Sequence, residues 1–311
     1  MMFLIATAAA HVPHDAILAV APPLTLTAAE PWYMTMSPHG TALFYESDSG
    51  GTTWDLLGGP HTGTELVGLA RLADGSLAAL TGPSVWVSAD GRAWTNAVLP
   101  ETAAAVQGVG NEVAFAGDTC LWTGPALGPY TCAVTGAVTA LGPDAAVVDG
   151  HVVAFDGTTW NDVDAPASDL SAVLSTGDTT FAGTASGELF RYDGAWTACG
   201  AIPAGDARYP DIVRLAWTGD ALLVATATVG PYRSEDACAS FEDRGTGEPV
   251  LYGQEGGPGG VSEATVFLAG EGEDWVTAGW AGLYVTADAG ASWTEAPVFT
   301  ADYVQIGRAH V

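Results

Sequence analysis

Hydrophobic residues occur along this chain in short runs of four to six positions, separated by glycine, aspartate and proline. One set of runs covers 65–70, 76–80, 84–87 and 93–96, and a set with the same order covers 264–269, 274–277, 282–285 and 292–294. Runs of this length that are bounded by turn-forming residues predict β-strands. No stretch carries the hydrophobic spacing of an amphipathic helix. The pattern therefore predicts an all-β protein built from groups of four strands.

A short turn motif recurs near the end of the predicted groups. Its clear copies are 47–54, 88–94 and 286–293, and its weaker copies are 155–160, 192–196 and 234–241. The copies share polar residues that start the turn, a small residue within it and an aromatic residue after it: Ser47, Gly51, Thr53, Trp54, Ser88, Asp90, Gly91, Trp94, Asp156, Trp160, Asp193, Trp196, Ser234, Asp236, Phe241, Thr286, Asp288, Gly290, Ser292 and Trp293. Between 94 and 160, a hairpin with cysteines at its ends takes the place of a copy.

The turn motif resembles the Asp-box, Ser/Thr-x-Asp-x-Gly-x-Thr-Trp, of sialidases, sortilin-type receptors and photosystem assembly factors. The copy at 286–293 matches in full, the copy at 47–54 has Ser49 in place of the aspartate, and the copy at 88–94 is one residue short. The resemblance covers 11–305 and implies a β-propeller of four-stranded blades. Seven units of about 40 residues are visible. The alternative is eight blades with a truncated C-terminus, because 301–305 looks like the inner strand of a further unit.

The chemistry of the turn motif indicates a structural role. The aspartate or serine side chain is expected to accept hydrogen bonds from backbone N–H groups, and the glycine to supply a positive φ. The aromatic residue is expected to pack between neighbouring sheets. We therefore interpret these residues as structural and assign no catalytic residue among them.

Charge excludes two classes of partner. The chain has 8 arginines, no lysine and 36 acidic residues, for a net charge of −28. Phosphate groups repel such a chain, which excludes nucleic acid and an anionic membrane surface as partners. No run of apolar residues is long enough to span a bilayer. We expect instead a protein or glycan partner on a face of loops.

The two ends of the chain and its four cysteines predict the cellular compartment of the protein. Residues 1–10 resemble the apolar region of a secretory signal peptide, and 306–311 match a translated sequencing adapter, which we interpret as not native. The four cysteines, Cys120, Cys132, Cys199 and Cys238, allow three pairings, and the first two flank one predicted turn. An even number of cysteines behind a signal peptide favours an oxidising compartment: the extracellular space, the cell surface or the periplasm.

The leading interpretation is a non-catalytic recognition or scaffold module. A sialidase-like glycoside hydrolase is the alternative, but the arginine motif that sialidases carry before the first box is absent. The remaining arginine candidates are Arg208, beside Tyr209 and Pro210, and Arg214. A second alternative is metal binding, of copper through His11 and His14 or of calcium through the acidic stretches 234–236 and 271–274. No cofactor is otherwise expected.

Overall fold

A computed structural model describes residues 15–23, 26, 30–38, 43–51, 53–57, 59, 66–110, 112–203, 211–226, 231–245, 267–278 and 283–296. In these ranges every regular element is a β-strand and no helix occurs. The strands form seven antiparallel sheets of four, and the four strands of each sheet follow one another in sequence. The predicted propeller of four-stranded blades is therefore confirmed, with seven blades.

The blades are numbered in chain order. Blade 1 contains β1 (Asp15–Ala21), β2 (Trp32–Pro38), β3 (Leu43–Ser47) and β4 (Asp55–Leu57). Blade 2 contains β5 (Gly68–Arg71), β6 (Leu77–Leu80), β7 (Ser84–Ser88) and β8 (Thr95–Val98). Blade 3 contains β9 (Ala103–Val109), β10 (Glu112–Gly117), β11 (Cys120–Pro125) and β12 (Thr131–Thr135). Blade 4 contains β13 (Val138–Gly142), β14 (Ala145–Val148), β15 (His151–Phe155) and β16 (Trp160–Asp162).

The last three blades repeat this order. Blade 5 contains β17 (Leu170–Ser175), β18 (Thr180–Thr184), β19 (Leu189–Tyr192) and β20 (Trp196–Ala198). Blade 6 contains β21 (Ile212–Trp217), β22 (Leu222–Thr226), β23 (Tyr232–Ser234) and β24 (Glu242–Asp243). Blade 7 contains β25 (Phe267–Glu271), β26 (Asp274–Ala278), β27 (Leu283–Thr286) and β28 (Thr294–Ala296). The first strands of consecutive blades lie side by side around the centre, and the fourth strands lie outermost.

The hydrophobic core is divided among the interfaces between blades. Each of the seven clusters of buried apolar side chains is built from two consecutive blades, and blade 7 shares its cluster with blade 1. The second strands supply much of this core: all of Leu77–Leu80 and of Ala145–Val148 is buried. Alternation of inward and outward faces is lost there because both faces of these strands meet another sheet.

The ring closes by side-chain packing between blades 7 and 1. Met34 and Met36 of β2 are buried against Val276 of β26 and Leu283 of β27. Glu271 Oε2 also accepts a hydrogen bond from the Leu26 backbone N–H at 2.9 Å. Because these two blades share one core, an eighth sheet has no place between them. Residues 301–305, which suggested a further unit, lie outside the described residues, as do 1–14 and 306–311.

Two disulfide bonds reinforce the blades. Cys120 pairs with Cys132 across the β11–β12 hairpin of blade 3, and Cys199 after β20 pairs with Cys238 in blade 6. The sequence allowed three pairings, and the structure contains the one in which the first pair closes a single hairpin. The second pair links two blades.

We expect the closing interface to control stability. Met34 is fully buried in it, so Met34→Ala should lower the free energy of unfolding by about 2–5 kcal/mol, the usual cost of such a cavity. Chemical denaturation followed by tryptophan fluorescence measures this difference. The control is Leu56→Ala on the outer strand β4, where the leucine is 60% exposed and the change should stay within about 0.5 kcal/mol. Equal effects of the two variants would contradict closure by packing.

Candidate functional site

The turn motifs all lie between the third and fourth strands of a blade. They occupy this position in blades 1, 2, 4, 5, 6 and 7, and the hairpin 126–130 occupies it in blade 3. All of the predicted motif residues therefore lie at one kind of turn, at the periphery of the ring. Their first hydroxyl residues, Ser47, Ser88, Ser234 and Thr286, are buried, and each ends a third strand.

In blades 6 and 7 the motif aspartate is bound by its own turn. Asp288 Oδ1 accepts hydrogen bonds from the Thr286 hydroxyl at 2.6 Å and from the Ser292 backbone N–H at 2.8 Å, and Oδ2 accepts the Ser292 hydroxyl at 2.6 Å. Asp236 accepts the same set from Ser234 and Ser240. Hydrogen bonds to the charged form lower a carboxyl pKa. Those from Ser240 and Ser292 are the main reason that the pKa values of Asp236 and Asp288 fall to about 2.

The incomplete motifs use the same type of bond with a different set of donors. In blade 1, Ser49 replaces the aspartate and its hydroxyl accepts the Thr53 N–H at 2.7 Å. In the shorter turn of blade 2, Asp90 Oδ1 accepts the N–H groups of Arg92 and Ala93 at 2.9 and 3.1 Å. In blade 4, backbone and side-chain hydrogen bonds from residues 158–161 hold the pKa of Asp156 well below its usual range. The carboxylates are therefore engaged locally rather than aimed at a common centre.

Positive φ angles within the turns also follow the motif. Gly290 has φ +78°, and a Cβ there would come within 2.7 Å of the Trp275 ring. Gly91 has φ +72°, and its Cβ would lie 2.6 Å from the ring of Tyr33 in blade 1. Glycine at these positions thus satisfies the backbone angle and lets the turn approach its neighbour. Cys238 stands at the same position in blade 6 with φ +70°.

At three interfaces the motif turn of one blade is linked to a residue just after the outer strand of the preceding blade. Trp196 Nε1 of blade 5 donates to the Val163 carbonyl, just after β16 of blade 4, at 2.8 Å. Trp293 Nε1 of blade 7 donates to the Arg244 carbonyl, just after β24 of blade 6, at 2.6 Å. Between blades 5 and 6 the disulfide joins the corresponding places, because Cys199 follows β20 and Cys238 lies in the next turn. The side chain of Phe241 has no N–H to donate, and the disulfide makes the link instead.

The described residues form no site around the residues that the sequence suggested for a hydrolase or a metal ion. Arg208, Tyr209, Pro210, His11 and His14 lie outside them. Arg214 lies on the first strand of blade 6, where its exposed side chain donates a hydrogen bond to the Val213 carbonyl at 2.7 Å. Five other arginines each lie within ion-pair distance of a carboxylate of this chain: Arg71, Arg92, Arg191, Arg233 and Arg244. No group of three or more His, Cys, Asp or Glu side chains in the described ranges is arranged to hold a metal ion.

A groove on the outer rim between blades 4 and 5 is the candidate site. It has a volume of about 690 Å³ and is open to solvent. Its blade 4 wall contains His151, Asp162, Val163 and Asp164, and its blade 5 wall contains Tyr192, Gly194, Ala195 and Trp196. We call this cavity the rim groove. It places two aromatic rings opposite two carboxylates and one imidazole.

The carboxylates of the rim groove are oriented by the backbone. Asp162 Oδ1 accepts the Asp164 N–H at 2.7 Å, and Asp164 Oδ1 accepts the Ala165 N–H at 2.9 Å. His151 Nδ1 lies 3.5 Å from Asp162 Oδ2 and 3.9 Å from Asp164 Oδ1. Asp164 has φ +65°, a left-handed conformation that aspartate tolerates better than most residues. This turn holds both carboxylates on the same side of the imidazole.

The aromatic wall is fixed by packing. The rings of Tyr192 and Trp196 lie 5.2 Å apart between centroids and are inclined by 53°. The Trp196 indole is held by its hydrogen bond to Val163 and packs on the apolar cluster between blades 4 and 5. Both rings remain partly exposed. The groove is therefore a preformed surface rather than one that must be assembled from mobile side chains.

Sequence reasoning found only part of this groove. It identified Trp196 and the neighbouring Asp193 as motif residues, but it did not single out His151, Asp162, Asp164 or Tyr192. His151 and Tyr192 are far apart in sequence and line the same groove only because blades 4 and 5 pack together. The nearest local signal was the pair of aspartates separated by one residue, of which Asp162 ends a strand of three residues and Asp164 follows it.

Comparison with known proteins shows the fold. No family model matches the chain, and no curated protein sequence matches it. The structure is similar to that of YCF48 bound to D1 peptide, with TM-score 0.61 and 15% identity over 88% of this chain and 92% of that one. It is also similar to YCF48 from Cyanidioschyzon merolae, with TM-score 0.64 and 12% identity over 89% and 96% of the two chains. The chain shares the propeller fold with these proteins.

A third similar structure is Sqt1 of Saccharomyces cerevisiae, with TM-score 0.56 and 12% identity over 91% of this chain and 84% of that one. At such low identities the similarity establishes the architecture and not a ligand. No helix within the described residues of the propeller is long and apolar enough to cross a membrane.

The turn aspartates should make stability depend on pH in acid. Because the folded-state pKa of Asp288 is lowered from 3.8 to about 2, its ionised form stabilises the fold above the unfolded pKa. This contribution is lost as the pH falls through the folded value. The free energy of unfolding should therefore decrease between about pH 4 and pH 2, and Asp288→Asn should reduce that dependence.

Denaturant unfolding at several pH values tests this expectation. Asp236→Asn in blade 6 is the parallel variant, and the two effects should add because the turns belong to different blades. An acid dependence that neither variant alters would show that the turn carboxylates do not stabilise the fold.

Proposed function

We propose that this chain is a non-catalytic recognition or scaffold protein that binds a protein partner. Two observations carry the proposal. The carboxylates of the turn motifs accept hydrogen bonds within their own hairpins. The rim groove, by contrast, presents oriented polar and aromatic groups to solvent. Rigid rings of blades with variable surfaces are suited to such binding. The structurally similar YCF48 in complex with a D1 peptide supports a peptide or protein as the class of partner.

The same proposal includes an oxidising compartment, which means secretion, the cell surface or the periplasm. All four cysteines of the chain are paired in the structure. Disulfides persist in such compartments and are rare in the reducing cytosol. The signal-like residues 1–10 motivate the same assignment from the sequence.

A peptide-display selection tests the recognition function. The full chain, immobilised in its folded state, should enrich peptides with a shared sequence pattern from a random library, and the urea-unfolded chain should not. A parallel panel of fluorogenic glycosides, including a sialoside, should show no turnover. The absence of any enriched pattern would contradict a peptide-binding role. Turnover that copurifies with the chain would instead support the hydrolase alternative.

The disulfides should stabilise the folded chain to different extents. The loop-entropy relation gives about 4 kcal/mol for Cys199–Cys238 and about 3 kcal/mol for Cys120–Cys132, because their sequence separations are 39 and 12 residues. The free energy of unfolding of the double variant Cys199→Ala/Cys238→Ala should therefore be about 1 kcal/mol lower than that of the double variant Cys120→Ala/Cys132→Ala. Denaturation with and without reductant measures this. An unfolding midpoint that reductant leaves unchanged would argue against an oxidising compartment.

A further inference from the structure

We propose that the rim groove binds the guanidinium group of an arginine side chain supplied by the partner. This inference rests on the proposed function, since it requires a protein partner, and it names the chemistry that the groove would recognise. The observations behind it are the two oriented carboxylates, the two inclined aromatic rings and the overall charge of the chain.

The carboxylates provide the anionic half of the site. Asp162 and Asp164 each use one oxygen, Oδ1, to accept a backbone N–H, and their side chains are 61% and 85% exposed. Asp164 Oδ2 is thus left for an incoming donor, and Asp162 Oδ2, which lies 3.5 Å from His151 Nδ1, can accept from a donor on its other side. A guanidinium carries five N–H donors in a plane and can bond two carboxylates through its edges. Charge-assisted hydrogen bonds of this kind are stronger than neutral ones.

The aromatic rings provide the second half. Tyr192 and Trp196 both stand on the blade 5 wall, and their partly exposed ring faces are inclined by 53° to each other. A cation over such a face is attracted by the ring electrons, and tryptophan is the strongest partner. Arginine also stacks its flat guanidinium on aromatic rings, which the compact ammonium of lysine cannot do. A flat cation therefore matches both walls of the groove at once.

The charge of the whole chain favours a cationic ligand. With a net charge of −28 and no lysine, the protein attracts positive groups from a distance and accelerates their encounter. Its own described arginines are engaged elsewhere, for example Arg191 with Asp193 on the strand next to the groove. The basic side chain that the structure places beside the two carboxylates is His151, at 3.5 and 3.9 Å.

A matched set of peptides and variants tests the proposal. The probes are a fluorescein-labelled peptide with three arginines spaced by Gly-Ser, and versions with citrulline or lysine at the same places. Fluorescence anisotropy at low salt should give binding of the arginine peptide at least tenfold tighter than that of the neutral citrulline peptide. The lysine peptide should bind more weakly than the arginine peptide at equal charge.

The double variant Asp162→Asn/Asp164→Asn should weaken binding of the arginine peptide at least tenfold. Its amide oxygens can still accept the two backbone N–H groups, so the turn is preserved. Asp118→Asn/Asp178→Asn is the control. It makes the same change in net charge at exposed turn residues outside the groove walls, and it should alter binding less than twofold. Tyr192→Leu should also weaken binding several-fold by removing one ring.

Four results would overturn the inference. Equal weakening by both double variants would mean general charge attraction, and equal affinity for the citrulline peptide would mean that no cation is recognised. Displacement of the probe by a neutral oligosaccharide that binds both double variants equally would indicate a glycan site. Library-selected peptides that bind the Asp162→Asn/Asp164→Asn variant normally would also overturn the groove assignment while leaving the proposed function intact. Failure of the proposed function would appear instead as the absence of any selected peptide.

Discussion

Packing of each sheet against the next is the interaction on which the whole molecule depends. A four-stranded sheet with two apolar faces is not stable in water alone, and each blade here buries both faces against its neighbours. The consequence is seven interface cores instead of one. It also explains why the ring must close: without the contact between blades 7 and 1, Met34 and Val276 would face solvent on two open sheets.

The outer ends of the interfaces show how one geometric requirement is met by different chemistry. Between blades 4 and 5 and between blades 6 and 7, an indole N–H from a turn reaches a carbonyl just beyond the preceding outer strand. Between blades 5 and 6, a disulfide joins the equivalent places. The irregular motif at 234–241 has Cys238 in place of glycine and Phe241 in place of tryptophan. The covalent bond supplies the connection that the phenylalanine cannot.

The same connections organise the candidate site. The Trp196 indole that links blades 4 and 5 is also part of the wall of the rim groove, and the carbonyl that it binds belongs to Val163, between the two groove aspartates. The proposed recognition role therefore shares residues with a structural role on this rim. A binding surface held in this way loses little conformational freedom when a ligand arrives, which favours affinity. In contrast, the acidic residues of the turn motifs are saturated by short-range hydrogen bonds and contribute to the fold.

The amino-acid sequence by itself determined the local structure. Strand runs such as 76–80 and 84–87 and the turns at 88–94 and 286–293 were predicted near their observed positions, because neighbouring residues fix both the strand pattern and the turn hydrogen bonds. The repeat then implied four-stranded blades, but it left open whether there are seven or eight. Tertiary structure alone decided the closure between blades 7 and 1 and the placement of His151 in one groove with Tyr192 and Trp196. These arrangements join residues distant in sequence, and their geometry follows from how whole sheets pack, which no local pattern encodes.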